Sequence, residues 1–155
     1  MNKNNELLTF LDNQFIGNLA TSDGDSLNLV TIFYVRYNKC LFFKSRTTSV
    51  HSLHVEKNKK IVFTAYSHDS NYSDKYGVQI KGSATRITDH ETMKMAVNLY
   101  SERFDGAGAK LPSIEELCSP EIKSTFYKLE IDSFKIIDEE KTRGIDRTMS
   151  GYETI

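Results

Sequence analysis

The sequence predicts a mainly β protein with peripheral helices (α+β), in which six antiparallel strands close into a small barrel. Segments rich in Val, Ile, Phe, Tyr and Thr recur along the chain, and turn residues or short helical segments separate them. The segment from Tyr76 to Ile87 alternates apolar and polar residues, the pattern of a strand with one buried face. Short antiparallel strands that enclose one core are typical of a barrel.

The N-terminal segment predicts a helix over Asn5–Phe15. Leu7, Leu11 and Phe15 recur every four residues, so they share one apolar stripe. We expect Gly17 to end this helix, because glycine is favoured just after a helix C-terminus.

The strands follow the first helix in hairpin-like order. Ser22–Asp25 and Asn38–Lys39 have the composition of tight turns. Gly82 interrupts the fifth strand and indicates a bulge, or a close approach of another backbone or a ligand. The six strands are predicted over Asn18–Thr21, Leu27–Tyr37, Leu41–Ser45, Ile61–Tyr66, Tyr76–Ile87 and Thr125–Asp138.

Three more helices are predicted between the strands. One covers Ser49–Asn58. The capping-box pattern in Thr88–Glu91 predicts a helix through Phe104, and the same pattern in Ser113–Glu116 predicts a short helix around Leu117. The buried stripe of the helix that ends at Phe104 is predicted to contain Met93, Ala96, Val97, Tyr100 and Phe104.

Length and composition are those of an ordinary globular chain, with 155 residues of which 39% are hydrophobic and 26% charged. We expect one domain over residues 1–155, with a polar C-terminal tail over 141–155. A net charge of −1 gives no general attraction to nucleic acid or anionic lipid, so neither is an expected partner. No apolar run approaches the ~18 residues of a membrane span, and no signal-peptide pattern is present. We therefore expect a cytoplasmic protein in which Cys40 and Cys118 are free thiols.

The segment Leu41–Asn58, LFFKSRTTSVHSLHVEKN, carries the first candidate site. It predicts a strand, a turn rich in hydroxyl groups, and a helix with His51 in its first turn. A helix N-terminus has a partial positive charge and N–H groups without partners, so this corner is suited to hold a phosphate. The alternative is that Thr48 or Ser49 only caps the helix.

Four stretches, in this order, resemble one known family. They are FIGNLATSDGDSLNLVTIFYV, LFFKSRTTSVHSLHVEKNKKIVFTAY, YGVQIKGSATRITDHE and FYKLEIDSFKIID. Together they extend the similarity over about Asn5 to Asp138, and they resemble the FMN-binding split-barrel family, also called the pyridoxamine 5'-phosphate oxidase-like family. GVQIKG followed by a helix that ends in LYSERF is similar to a poorly characterised bacterial branch of it.

The resemblance implies a six-stranded split barrel that forms a homodimer and binds FMN at the subunit interface. By position, Lys44 and Ser45 would lie beside the flavin ring and its ribityl chain. Val30 and Thr31 would meet the edge of the ring. Gln79 would offer it a polar group.

The resemblance also implies a phosphate site at the corner, where Ser49 and His51 would contact the flavin phosphate together with Thr48. Many family members have an Arg-Lys pair where this chain has Val50 and His51. Histidine and hydroxyl groups bind phosphate less strongly than a bidentate arginine does, and Arg46 is placed to compensate.

Other sites are less favoured by the sequence. His51 and His54 lie three residues apart on one helix, but no third ligand has convincing spacing, so no metal site is expected. Cys118 has no identifiable His or Asn partner and is expected to be a packed or exposed thiol. Arg143 and Arg147 are either solvated or close over a neighbouring subunit's site to meet an anionic substrate.

These observations lead to three functional hypotheses. The first is an FMN-dependent oxidoreductase that acts on a small-molecule substrate, with no general acid or base assigned. The second is a non-enzymatic protein that binds a flavin, haem or another conjugated ligand on the same barrel. The third is a dimeric barrel whose cofactor site has decayed.

Overall fold

The computed structural model describes residues 2–68, 71, 74–104, 110–138 and 151–155. Four helices lie in these ranges: α1 (Lys3–Asp12), α2 (Val50–Lys57), α3 (His90–Arg103) and α4 (Ile114–Cys118). The strands are β1 (Ile16–Ser22), β2 (Leu27–Tyr37), β3 (Cys40–Arg46), β4 (Lys60–Tyr66), β5 (Tyr76–Arg86), β6 (Ser124–Asp138) and β7 (Glu153–Thr154).

The first six strands form a closed antiparallel barrel, as predicted. Their order is β3-β2-β1-β4-β5-β6, and β3 pairs with β6 to close the ring. The two-residue β7 adds to the later part of β6, where Ser133 pairs with Thr154. β7 was not predicted, because the sequence around it reads only as a polar tail. Residues 141–150, with Arg143 and Arg147, lie outside the described residues.

Two hydrophobic clusters hold the barrel and its helices together. The larger one fills the barrel and includes Leu19, Phe43, Phe63, Ile80 and Tyr127, with Leu7 and Leu11 of α1 packed against it. The smaller one lies between the outer side of the sheet and the helices α3 and α4. It contains Val35, Phe42, Ile87, Met93, Ala96, Leu117 and Phe126.

The first helix ends earlier than the sequence suggests. α1 stops at Asp12, and Gly17 lies inside β1 rather than at the helix end. A Cβ at Gly17 would stand 2.1 Å from the Phe63 ring, so the glycine is explained by strand packing. Phe15, predicted on the buried stripe, is 53% exposed because it follows the helix.

The predicted N-cap is wrong for α3 and correct for α4. The N-cap of α3 is Asp89, whose carboxylate accepts from the Thr92 N–H at 2.8 Å, and not Thr88. The predicted capping box of α4 is present, with Ser113 and Glu116 satisfying each other's backbone N–H groups. Met93 and Ala96 of the predicted α3 stripe are fully buried, and its other members are partly buried.

The expected irregularity at Gly82 is a bulge. The register of β5 against β6 shifts between Lys81 and Gly82, so Asp132 has no partner on β5. Among the described residues, no helix is both long and apolar enough to cross a membrane.

Candidate functional site

The side chains at the end of β3 point alternately to the inner and outer sides of the sheet. Phe43 belongs to the cluster inside the barrel, and Phe42 belongs to the cluster under α3 and α4. Since neighbouring residues of a strand alternate, Ser45 follows Phe43 toward the barrel interior. Lys44 and Arg46 therefore lie on the outer side, and Arg46 is exposed to solvent.

Helix α2 covers the end of the barrel where β3 stops. Its inward face is unusual because three of its four buried residues are polar: His51, Ser52 and His54, next to Val55. Buried polar groups need hydrogen-bond partners, so this face requires a matching set of donors and acceptors.

His51 finds its partners in the corner itself. Its Nε2 lies 2.5 Å from Ser45 Oγ and 3.2 Å from Ser49 Oγ, and these two hydroxyls are 3.1 Å apart. Ser49 Oγ also lies 2.9 Å from Ser52 Oγ. The structure thus brings together three predicted site residues, Ser45, Ser49 and His51, in a closed network that also uses Ser52.

The surroundings of His51 favour the neutral form of its ring. Burial, reinforced by the nearby His54, lowers the pKa of His51 below its ordinary value of 6.5. In the neutral tautomer with its proton on Nδ1, Nε2 accepts a hydrogen bond, and the Ser45 hydroxyl lies close enough to donate it. His51 therefore offers little positive charge to an anion.

The N-terminus of α2 has no side-chain cap. Ser49 is the N-cap residue, but its hydroxyl donates to the Arg46 carbonyl oxygen at 2.8 Å and makes no capping hydrogen bond. Thr48 is exposed. The structure thus places Ser49 at the cap position without a side-chain cap, and an anion site at this corner stays a prediction. The uncapped N–H groups and the helix dipole favour an anion at this point.

A row of polar residues crosses the outer side of four neighbouring strands. Thr31 pairs with Asn18, Asn18 with Thr64, and Thr64 with Gln79. The Thr31 hydroxyl donates to Asn18 Oδ1 at 2.9 Å. Thr31 and Gln79, both predicted from the resemblance, thus share one surface, whereas the Val30 side chain packs against the barrel core.

Exposed apolar side chains surround this polar row. On β2, Leu27 is 87% exposed, Leu29 69% and Phe33 52%. Ile16 of β1 pairs with Phe33 and is 37% exposed. We call this surface, made of Ile16, Asn18, Leu27, Leu29, Thr31, Phe33 and Thr64, the outer β face. A contiguous apolar surface of this kind is typical of an interaction site.

His54 belongs to a second network that the sequence did not predict. Its Nδ1 lies 3.2 Å from Thr21 Oγ1 and its Nε2 lies 3.2 Å from Ser26 Oγ, while Asp23 Oδ2 is 3.9 Å from Nε2. Backbone N–H groups of Ser26 and Asp25 lower the pKa of Asp23 to about 2. The network ties the β1–β2 turn to α2.

Sequence reasoning missed Ser52 and Asn18 as well as His54. Ser52 and His54 could have been found from their spacing on α2. His54 and Val55 lie three and four residues after His51, and Ser52 lies three residues before Val55, so these residues share one face of the helix. Asn18 could not have been found in this way, since its role depends on which strand lies beside β1. Within the described residues, no group of three or more His, Cys, Asp or Glu side chains is placed to hold a metal ion.

Comparison with known sequences places the chain in a family. The sequence profile described as pyridoxamine 5'-phosphate oxidase matches residues 3–136. The chain belongs to the pyridoxamine 5'-phosphate oxidase-like family. Among curated proteins, none has a sequence that matches the chain.

Solved structures of several bacterial proteins share the fold at low sequence identity. The conserved protein Rv2991 of Mycobacterium tuberculosis has a TM-score of 0.71 and 16% identity, over 95% of this chain and 91% of that one. General Stress Protein 26 of Bacillus anthracis has a TM-score of 0.66 and 15% identity, over 100% of both chains. HutZ, the haem storage protein of Vibrio cholerae, has a TM-score of 0.65 and 17% identity, over 82% and 88%.

Proposed function

We propose that this protein binds FMN between the subunits of a homodimer and acts as a flavin-dependent oxidoreductase on a small-molecule substrate. The observation that carries the proposal is the uncapped N-terminus of α2, which directly follows the two cationic residues Lys44 and Arg46 of β3. Membership of the pyridoxamine 5'-phosphate oxidase-like family supports it.

In this proposal main-chain N–H groups and Arg46 hold the flavin phosphate, whereas the resemblance implied that His51 contacts it. The first-turn N–H groups of α2 supply main-chain donors, and Arg46 supplies an exposed, permanently charged guanidinium. Lys44 lies on the same side of β3 and adds a second charge. The hydroxyls of Ser45 and Ser49 and the ring of His51 hydrogen-bond to one another, so they shape the corner rather than neutralise the phosphate.

The outer β face is suited to the ring end of the cofactor and to a second subunit. Thr31 and Gln79 give polar groups at the ring edge, with Thr64 and Asn18 between them. Leu29 and Phe33 would be covered by the partner, which removes apolar surface from water at about 25 cal/mol per Å². Val30 contributes through its main chain, since its side chain packs on the core.

In this proposal the flavin supplies the redox chemistry when it is bound. The residues of the chain have three tasks: they hold the phosphate, orient the ring on the outer β face and exclude water by bringing two subunits together. No side chain is assigned as a general acid or base. We place the protein in the cytoplasm, where the free thiols of Cys40 and Cys118 are stable.

The test is a titration of the purified protein with FMN and, in parallel, with riboflavin. We expect quenching of flavin fluorescence at micromolar FMN, and binding at least about tenfold weaker for riboflavin because it lacks the charged group. Arg46→Ala should weaken FMN binding and leave riboflavin binding unchanged, with Lys94→Ala on the exposed side of α3 as the control. Absence of binding to either flavin would contradict the proposal.

The second candidate is a non-enzymatic protein that binds flavin or haem on the same barrel. The name of HutZ as a haem storage protein favours it. The structure argues for flavin over haem, since haem iron needs an axial side-chain ligand and flavin does not. Of the four histidines, His51 and His54 are buried and hydrogen-bonded, and His68 and His90 are exposed.

Two measurements separate the candidates. A bound flavin that NADH and NADPH both fail to reduce under anaerobic conditions would favour the non-enzymatic protein over the oxidoreductase. A Soret band that survives substitution of both His68 and His90 by Ala would contradict haem ligation by either of these exposed histidines.

A further inference from the structure

A pocket of about 390 Å³ opens on the outer side of β1, β4 and β5. Its floor follows one row across three strands, since Ala20 pairs with Val62 and Val62 with Lys81. The side chain of Ala20 is short, so it leaves open space beside Leu27, which also lines the pocket. Mostly apolar pockets of about 300–1,000 Å³ with a few polar groups are typical small-ligand sites.

The charged groups of the pocket are two ammonium groups and one carboxylate, and Thr21, Ser22 and Asn58 add uncharged polar groups. Lys60 and Lys81 line it together with Asp132. Asp132 is the extra residue of the β6 bulge, because Lys81 pairs with Ser133 and Gly82 with Ile131. The bulge therefore turns a carboxylate toward the pocket, and the lining keeps a net charge of about +1.

The ammonium group of Lys81 is also held by the C-terminal segment. Its Nζ lies 4.0 Å from the centre of the Tyr152 ring, a cation–π contact. Tyr152 precedes β7, which pairs with β6 one residue beyond Asp132. This contact restricts the long Lys81 side chain, so binding an anion there costs less side-chain entropy.

The pocket is separate from the phosphate corner. Asn58, the C-cap of α2, lines it, whereas the corner lies at the N-terminus of the same helix. Eight helical residues place the two ends about 12 Å apart. Leu27 belongs both to the pocket and to the outer β face, whereas the residues assigned to the flavin phosphate and to the ring edge are not among the pocket's lining residues.

We propose that this pocket is a second binding site, which takes a small aromatic anion such as an aryl carboxylate or sulfonate. The ring lies on Ala20, Val62 and Leu27, and the anionic group lies between the ammonium groups of Lys60 and Lys81. Asp132 accepts a hydrogen bond from a ligand O–H or N–H and disfavours ligands with a second negative charge next to it. The proposal does not depend on flavin binding at the corner.

The test uses 1-anilinonaphthalene-8-sulfonate as the fluorescent probe with the full chain, with and without FMN. We expect saturable binding that FMN leaves unchanged, and dissociation constants raised about fivefold or more by Lys60→Ala and by Lys81→Ala. Ala20→Leu should abolish binding by raising the floor. Lys94→Ala on α3 should bind like the wild type. Naphthalene-2-carboxylate should displace the probe, and the uncharged naphthalene-2-methanol should not.

Three results of the binding measurements would overturn the proposal. They are no saturable probe binding by the wild type, equal binding by the Lys60, Lys81 and Lys94 variants, or equal competition by the neutral and anionic naphthalenes. Size-exclusion chromatography with light scattering and far-ultraviolet circular dichroism accompany each variant. If Lys60→Ala or Ala20→Leu loses the probe only together with a change in subunit number, the pocket is a subunit contact and the proposal is wrong.

Discussion

Single residues decide how closely the strands of this barrel approach. At Gly82, a Cβ would stand 2.0 Å from the Glu130 carbonyl oxygen, which belongs to the backbone and has little freedom to move. The glycine allows the bulge that places Asp132 on the outer side of the barrel. At the corner, His51 shows the same dependence on near neighbours, since Ser45 and Ser49 determine what its ring can bind.

Gly82→Ala is expected to lower the free energy of unfolding by about 3 kcal/mol, because the added methyl group must displace backbone. Urea denaturation followed by circular dichroism measures it. Gly151→Ala is the matched control, since nothing lies within 4 Å of a Cβ at Gly151. A change below about 1 kcal/mol for Gly82→Ala would show that the strands separate easily there.

The lowered pKa of His51 predicts a loss of stability in acid. Because the folded protein disfavours the protonated ring, the unfolded chain binds more protons as the pH falls below 6.5. The stabilisation is complete above pH 6.5 and is lost as the pH falls toward the folded pKa. The pKa of Asp23, near 2, acts at much lower pH.

Midpoints of urea denaturation between pH 7.5 and pH 5 test this dependence. We expect the wild type to lose stability over this interval and His51→Asn to lose less, although the variant is less stable at pH 7.5. Parallel curves for the two proteins would mean that His51 titrates normally in the folded state.

At the scale of elements, α2 does more than connect two strands. It covers one end of the barrel with a polar face, and each of its two histidines binds a different neighbour: His51 the end of β3, His54 the β1–β2 turn. An element so anchored presents its N-terminus in a fixed position. This rigidity is what a phosphate site made of main-chain N–H groups requires.

The start of α3 provides a test of helix register. Asp89→Ala should cost about 1 kcal/mol by removing the hydrogen bond to the Thr92 N–H, and Thr88→Ala should cost little. Thermal unfolding of the two variants, side by side, makes the comparison. A larger loss of stability for Thr88→Ala than for Asp89→Ala would show that Thr88 is the N-cap, as the sequence pattern predicts.

At the scale of the whole molecule, the barrel buries its apolar residues well except on the outer β face. There Leu27, Leu29 and Phe33 remain exposed beside a polar row that crosses four strands. Val62 of β4 is also exposed and pairs with Ala20, the partner of Leu29, so the apolar surface continues onto β4. A second subunit that covers this face would remove the most apolar surface from water.

Leu29→Asp is therefore expected to convert a dimer to a monomer and to weaken FMN binding at the same time, because both depend on the outer β face. Light scattering coupled to size-exclusion chromatography gives the subunit number, and flavin fluorescence gives the affinity. Met95→Asp is the control, an equally drastic change at an exposed residue of α3. A dimer that persists in Leu29→Asp would locate the subunit contact elsewhere.

The sequence by itself determined the six barrel strands, the family and the Ser113–Glu116 capping box, because these depend on local propensity and on residues a few positions apart. It also indicated the β3–α2 corner. Only the tertiary structure decided that burial lowers the pKa of His51 and that Ser45 lies in hydrogen-bond contact with its Nε2. It also decided that Lys44 and Arg46 lie on the opposite side of the sheet from Ser45, and that Asn18, Thr31, Thr64 and Gln79 form one row. The physical reason is that burial, charge and cross-strand register depend on which distant segments become neighbours.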